Sequence, residues 1–182
     1  MRAFRFVMLS VFAFAVGRLL VLWPRLPEPL ASHFDASGTP DGFSSRAAFV
    51  STVIVIHALL VLVFLLVPAL LRITPASLVS LPNREYWWDP SRRDATISTL
   101  ASYFLYFGIS SQVVAIVAVE LTVRANLGHP FDTGPMWGVL ALHAVNVAGW
   151  LLSLLRRFRK PPTRGEPGFR PASTLHGPAS PK

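Results

Sequence analysis

The sequence predicts an all-α fold: a four-helix transmembrane bundle with an ordered extracytoplasmic loop and a disordered C-terminal tail. Three observations carry this. Of the 182 residues, 52% are hydrophobic and only 14% are charged, where a soluble domain carries roughly 25% charged residues. Four apolar runs are each long enough to cross a bilayer. The polar stretches between them are short, and their arginines are unevenly shared. The formal charge of +8 points to lipid rather than nucleic acid, because many of the basic residues flank apolar runs. The chain holds no cysteine, which removes disulfides, thiol catalysis and cysteine-based metal sites.

The first span is Phe4–Trp23. At about 1.5 Å per residue it reaches roughly 30 Å, the thickness of the hydrocarbon core. Arg2 and Arg5 also match the n-region of a signal peptide. The run is long for a signal sequence, however, and no small-x-small site follows Trp23 and Pro24, so it reads as a retained span. Pro24 ends the helix by excluding helical geometry from the residue before it.

Residues 24–45 form the first connector. Asp35–Gly38 and Thr39–Gly42 each read as a tight turn, with Pro40 pre-setting one dihedral of the second. Ser44 or Ser45 is placed to cap the next helix. The second span, Val50–Leu71, is uncharged and carries His57 and Pro68, the latter a candidate kink. Asp89-Pro90 reads as a cap followed by proline at the first helical position. The third span, Ile97–Val123, has Glu120 as its one charge, and the fourth, Met136–Leu155, contains His143 and Asn146. A membrane domain over residues 1–160 is therefore expected, with a polar Pro/Gly/Ser-rich tail at 161–182 that cannot bury enough surface to order itself. Lys and Arg accumulate on the cytoplasmic side, and the N-terminus, the second connector and the Arg156–Lys160 cluster hold most of them. Both termini are expected in the cytoplasm.

Three groups of residues are candidates for function. In the first connector, His33, Asp35, Asp41 and Arg46 form a constellation whose histidine and two carboxylates could bind a metal ion or an extracellular ligand, but the favoured reading is that the carboxylates make turns and His33 packs the loop onto the helix ends. No spacing fixes a metal geometry, and no cofactor is expected. In the spans, Arg18, His57, Glu120 and His143 all fall in the half of the bilayer nearer the first connector. Charges in lipid face inward and pair, so Arg18 with Glu120 is the expected ion pair, and the four are expected to line one pocket. That pocket is either a proton-sensitive or metal-binding site or interhelical hydrogen bonding. Finally, Asn83, Arg84, Glu85, Tyr86 and Trp87 read as an interfacial anchor or a docking point for a cytoplasmic partner.

Leu26-Pro-Glu-Pro-Leu, His33-Phe-Asp and Gly38-Thr-Pro-Asp-Gly-Phe43, with Ser45-Arg46 after them, resemble the signature of a family of bacterial integral membrane proteins of unknown function. That family also forms the N-terminal domain of SdpI-type immunity proteins, which protect a producing cell from its own secreted toxin. Asn83-Arg-Glu-Tyr-Trp87 resembles a second motif of the same family. Gly38, Pro40 and Gly42 are motif residues within the first. The resemblance implies a multi-pass protein of the bacterial cytoplasmic membrane. The chain is expected to be too short for the additional spans of full SdpI-type proteins. The expected partners are the lipid bilayer and a further protein or second copy. With no nucleophile–base arrangement or phosphate-cradling loop in the sequence, the expectation is a non-enzymatic module that senses or binds an extracytoplasmic ligand. Toxin immunity and a small transporter subunit are the alternatives.

Overall fold

The computed structural model describes residues 1–129 and 131–159. The expected disordered tail at 161–182, and Lys160, lie outside these residues. In order, the elements are α1 (Arg2–Leu22), β1 (Leu30–Phe34), β2 (Pro40–Ser44), α2 (Arg46–Ile73), the short α3 (Arg84–Trp87), α4 (Arg93–Asn126) and α5 (Thr133–Arg159). Single 3-10 turns follow α1 and α2. Helices α1, α2, α4 and α5 are long and apolar enough to cross a membrane, which makes this a multi-pass membrane protein. Helices are the natural solution there, since lipid offers no partner to an unsatisfied backbone amide.

Helix α4 is the hub, packing against α1, α2 and α5, while α1 and α2 also touch each other. On its interior side Gly108 lets two neighbours approach closely. A Cβ on Gly108 would lie 2.5 Å from the Phe64 ring of α2 and 3.0 Å from Met8 of α1. Three apolar clusters stack along the bundle. One, at the end bearing the strands, joins Leu19, Leu22, Leu30, Phe49, Val53 and Val123. The middle one contains Met8, Val61 and Leu105. The third, at the other end, gathers Trp87, Trp88, Ile97, Leu100 and Phe158. Helix α5 packs chiefly on α4, with its end also against Trp87 of α3, and Phe158 is its one buried residue among those described.

The first connector is an antiparallel hairpin of β1 and β2. The expected turn at Asp35–Gly38 is present in a broader loop, but the expected second turn at Thr39–Gly42 is not: Pro40–Ser44 is a strand. The reason lies in Asp35. Its Oδ1 accepts the Ser37 N–H at 2.8 Å and the Thr39 N–H at 2.9 Å, and its own N–H reaches the Thr39 carbonyl. These bonds reverse the chain in one step and leave Pro40 at the first strand position, where its missing N–H breaks no ladder bond. Gly38 has φ +85°, and a Cβ there would sit 2.7 Å from the Phe131 carbonyl oxygen. Across the hairpin, a Cβ on Gly42 would come within 2.9 Å of the His33 Cβ.

Other boundaries are set by local bonds as well. Ser45, not Ser44, caps α2, accepting the Ala48 N–H. Pro68 lies inside α2, which continues to Ile73. Asp89-Pro90 makes a turn instead of opening a helix. Asp89 spends its side chain on Ser91 and its carbonyl on the Arg92 and Arg93 amides, so α4 begins at Arg93.

Helix contact at Gly108 yields a direct test. Gly108→Val should lower thermal stability in detergent by about 1–3 kcal/mol through overpacking. Gly17→Val, where a Cβ meets nothing within 4 Å, should cost far less. Equal melting shifts for the two would contradict the close approach of α2 and α1 at Gly108.

Candidate functional site

An isolated two-stranded hairpin is marginal in water, so its attachments matter. Leu30 is buried in the cluster between α1, α2 and α4. The Asn126 side chain, at the last position of α4, accepts the Ala31 N–H at 2.8 Å and donates back to the Ala31 carbonyl at 2.8 Å, taking the place of a third strand. Phe34 stacks on Phe131 with ring centroids 4.2 Å apart and planes 8° from parallel. The Glu28 carboxylate accepts the Arg46 N–H, at 3.1 Å for its nearer oxygen, and so occupies the positive end of the α2 dipole. The Arg46 guanidinium in turn donates to the Trp23 carbonyl at 3.1 Å and lies over the Trp23 ring.

Within the hairpin, His33 Nδ1 pairs with the Asp41 carboxylate, and both side chains are exposed. Asp35 faces its own turn. The Ser37 hydroxyl first, then the Thr39 N–H, hold its carboxyl below the ordinary value of 3.8. His33, Asp35 and Asp41 are therefore not gathered around one point, and Asp35 makes a turn as the favoured reading has it. One carboxylate is committed to the backbone, and the other to the histidine. Among the described residues no group of three or more His, Asp or Glu side chains is placed to hold a metal ion.

The intramembrane set divides. The Arg18 guanidinium donates to Glu120 Oε1 at 3.0 Å, joining α1 to α4. The side chains are 42% and 37% exposed. Arg18 is one turn from the end of α1, and Glu120 is about 9 Å from the end of α4 at the helical rise, so the pair sits close beneath the hairpin. His57 is 2% exposed. Its Nδ1 lies 2.9 Å from the Val53 carbonyl oxygen, and a carbonyl only accepts, so Nδ1 carries the proton. In the neutral ring the lone pair is then on Nε2, which is buried with no partner among the described residues. Arg18, Glu120 and His57 line one cavity of about 20 Å³ together with Ala15, Val53 and Ile116. That space holds roughly one water molecule. His143 does not line it. It lies on α5 against the Phe107 ring, 6.1 Å between centroids, because α5 adds to the flank of α4 and does not close the bundle around α1 and α2.

Two polar residues absent from the expectation matter here. Asn126 looked like part of a connector, and nothing in its neighbours marks it as the tie to β1. Gln112 is 0% exposed and neither end of its amide has a partner among the described residues. It lies one turn from Gly108 and from Ile116 on α4. As the one amide in an otherwise apolar run, it was the available signal.

The Asn83–Trp87 motif works at the opposite end. Asn83 adopts φ 52°, and its side-chain amide donates to the Arg159 carbonyl at 2.6 Å. Trp87 Nε1 donates to the Phe158 carbonyl at 2.8 Å. Helix α5 thus has carbonyls of its last described turn satisfied by this motif. The Trp87 carbonyl receives the Thr96 hydroxyl at 2.8 Å, which fixes the start of α4. Tyr86 stands edge-on to Trp87 and beneath the Arg92 guanidinium at 4.3 Å. Arg84 and Glu85 edge a shallow depression beside them. One residue further into α4, Arg93 donates to the Arg72 carbonyl at 2.7 Å, at the end of α2.

Together these features define a class: a multi-pass helical membrane protein whose polar hairpin is docked onto one end of the bundle, above an ion pair and a buried histidine. A family model described as a domain of unknown function (DUF1648) matches residues 10–71. That stretch takes in most of α1, the hairpin and most of α2, and it is similar to that family. No curated protein and no solved structure matches the chain.

Two outcomes follow from the geometry. The Asp35 carboxyl is depressed in the folded hairpin, so its contribution is complete above the ordinary value of 3.8 and is lost as pH falls through the lower folded value. Protection of the Ser37 and Thr39 amides, measured against an unstructured peptide at the same pH, should hold from neutrality down to that ordinary value and fall only in stronger acid. In Asp35→Ala the protection should be lost across the whole range. For the ion pair, Arg18→Gln and Glu120→Gln should each destabilise the protein more than the double substitution does, since each alone strands a charge in lipid. Additive melting shifts would mean that the two groups do not interact.

Proposed function

We propose that this protein is a non-enzymatic membrane module of a bacterial cytoplasmic membrane that binds an extracytoplasmic ligand through its hairpin end. The observation that carries this is the His57 Nε2 lone pair, buried and without a partner among the described residues, in a cavity shared with Arg18 and Glu120. An unsatisfied acceptor in a lipid-embedded core is costly and is kept most simply where something water-borne reaches it. Support for the orientation comes from the arginines. Arg2, Arg5, Arg72, Arg84, Arg92, Arg93, Arg156, Arg157 and Arg159 lie at the end away from the hairpin, against Arg25, Arg46 and Arg124 at the hairpin end.

A second reading, immunity to a secreted toxin, rests on the likeness of residues 26–46 and 83–87 to the SdpI-type domain. It requires that deleting the gene sensitise cells to a neighbour's or their own toxin.

The lack of cysteine makes the main reading directly testable. In intact cells Ala36→Cys should react with a membrane-impermeant maleimide, and Ser80→Cys should react only after permeabilisation. The reverse pattern would overturn the orientation. Within the bundle, His57→Cys should be blocked by externally added silver ion, and Val61→Cys, one turn deeper, should not. Protection of both would show that nothing from outside reaches the cavity, leaving His57 a packing residue.

A further inference from the structure

Helix α5 leaves part of the α4 surface uncovered. Between it and the first turn of α1 runs a groove of about 470 Å³, lined chiefly by Phe4, Ser102, Tyr103, Tyr106, Gly149 and Trp150. Its volume falls within the roughly 300–1,000 Å³ of ligand sites. The polar groups along it are already partnered. The Tyr106 hydroxyl donates to Asn146, the Tyr103 and Ser153 hydroxyls meet at 3.0 Å, and Trp150 Nε1 donates to the Tyr103 carbonyl at 2.8 Å. What remains to face an occupant is ring and hydrocarbon.

The groove does not end in lipid. A second depression shares Tyr103, Gly149 and Ser153 with it and runs on to Arg156 and Arg157. Gly149 to Arg156 is about 10 Å along the helix, so the apolar trough and the two cations belong to one leaflet. Both arginines are exposed, and among the described residues neither makes an ion pair. Arg157 is held over the Trp87 ring at 5.3 Å, which fixes its position without neutralising it. At the junction, a Cβ on Gly149 would meet nothing within 4 Å, so the glycine leaves the floor open.

One end of this site suits an aliphatic chain and the other an anion, at the depth where headgroups lie. Basic pockets between transmembrane helices are a recognised form of lipid-headgroup site. We propose that the groove between α1, α4 and α5 binds an anionic phospholipid. One acyl chain lies along Phe4, Tyr106 and Trp150, and the phosphate rests on Arg156 and Arg157. A neutral apolar ligand would leave the cations unused, and a free phosphate would leave the trough unused.

The test uses the full chain, purified in mild detergent and titrated with phosphatidylglycerol or phosphatidylcholine of equal chain length, with bound lipid counted by native mass spectrometry. Phosphatidylglycerol should bind roughly tenfold more tightly. The R156Q/R157Q double variant should erase that preference. Gly149→Leu should reduce retention of phosphatidylglycerol, with the milder Gly149→Ala in between and melting temperatures confirming that each is folded. Gly138→Leu, also at a position where a Cβ meets nothing but outside the groove, should bind as the parent does. Equal binding of the two lipids overturns the proposal. So does loss in the arginine variant with none in Gly149→Leu, which would put the lipid on a surface patch. Dissociation of a dimer by Gly149→Leu with lipid binding unchanged would give the groove to a second copy and overturn it equally.

Discussion

A helix in lipid satisfies its own backbone everywhere except in its first and last turns, and those orphan groups must find partners where the chain leaves the hydrocarbon. Several polar side chains of this protein meet that requirement. Glu28 and Ser45 serve the start of α2, and Arg93 serves its end. Asn83 and Trp87 serve the last described turn of α5. Each of these groups comes from a different segment than the helix end it serves, except Ser45, which adjoins α2. Satisfying the ends therefore ties the segments together, and the connectors act as clasps.

This explains why both sequence motifs flank helices. In the first, the motif residues are consumed by the hairpin: Asp35 forms its turn, Gly38 and Gly42 admit close neighbours, and Pro40 opens β2. In the second, Asn83 and Trp87 hold α5 while the Trp87 carbonyl holds α4 through Thr96. What the motifs leave over is small: the exposed His33–Asp41 pair and the cavity holding Arg18, Glu120 and His57 beneath it.

The spans were legible because length and apolarity alone define them, and the Arg18–Glu120 pairing because lipid leaves two opposite charges little alternative. Thr39-Pro-Asp-Gly carries turn chemistry and yet opens a strand. The bonds that decide the matter come from Asp35, four residues before Thr39. His143 was placed in the pocket because depth can be counted along a helix but the face it presents cannot. Whether α5 closes the bundle or leans on α4 depends on side-chain packing that no periodicity in its sequence announces. The roles of Asn126 and Gln112 are not legible in the sequence, because a neutral amide leaves little mark on charge or hydropathy patterns.

The one-sided seat of α5 has a bearing on biogenesis. A nascent chain delivers α1, α2 and α4 to the bilayer before α5 is complete, and those three already contain the Gly108 contact and the Arg18–Glu120 bridge. The cluster beneath the strands and the middle cluster can close early, and only the third waits for Phe158 of the final helix. Ribosomal stalling or nonsense truncation near residue 130 would accordingly leave a core-bearing fragment in the membrane, one that lacks α5 but has no gap through its centre.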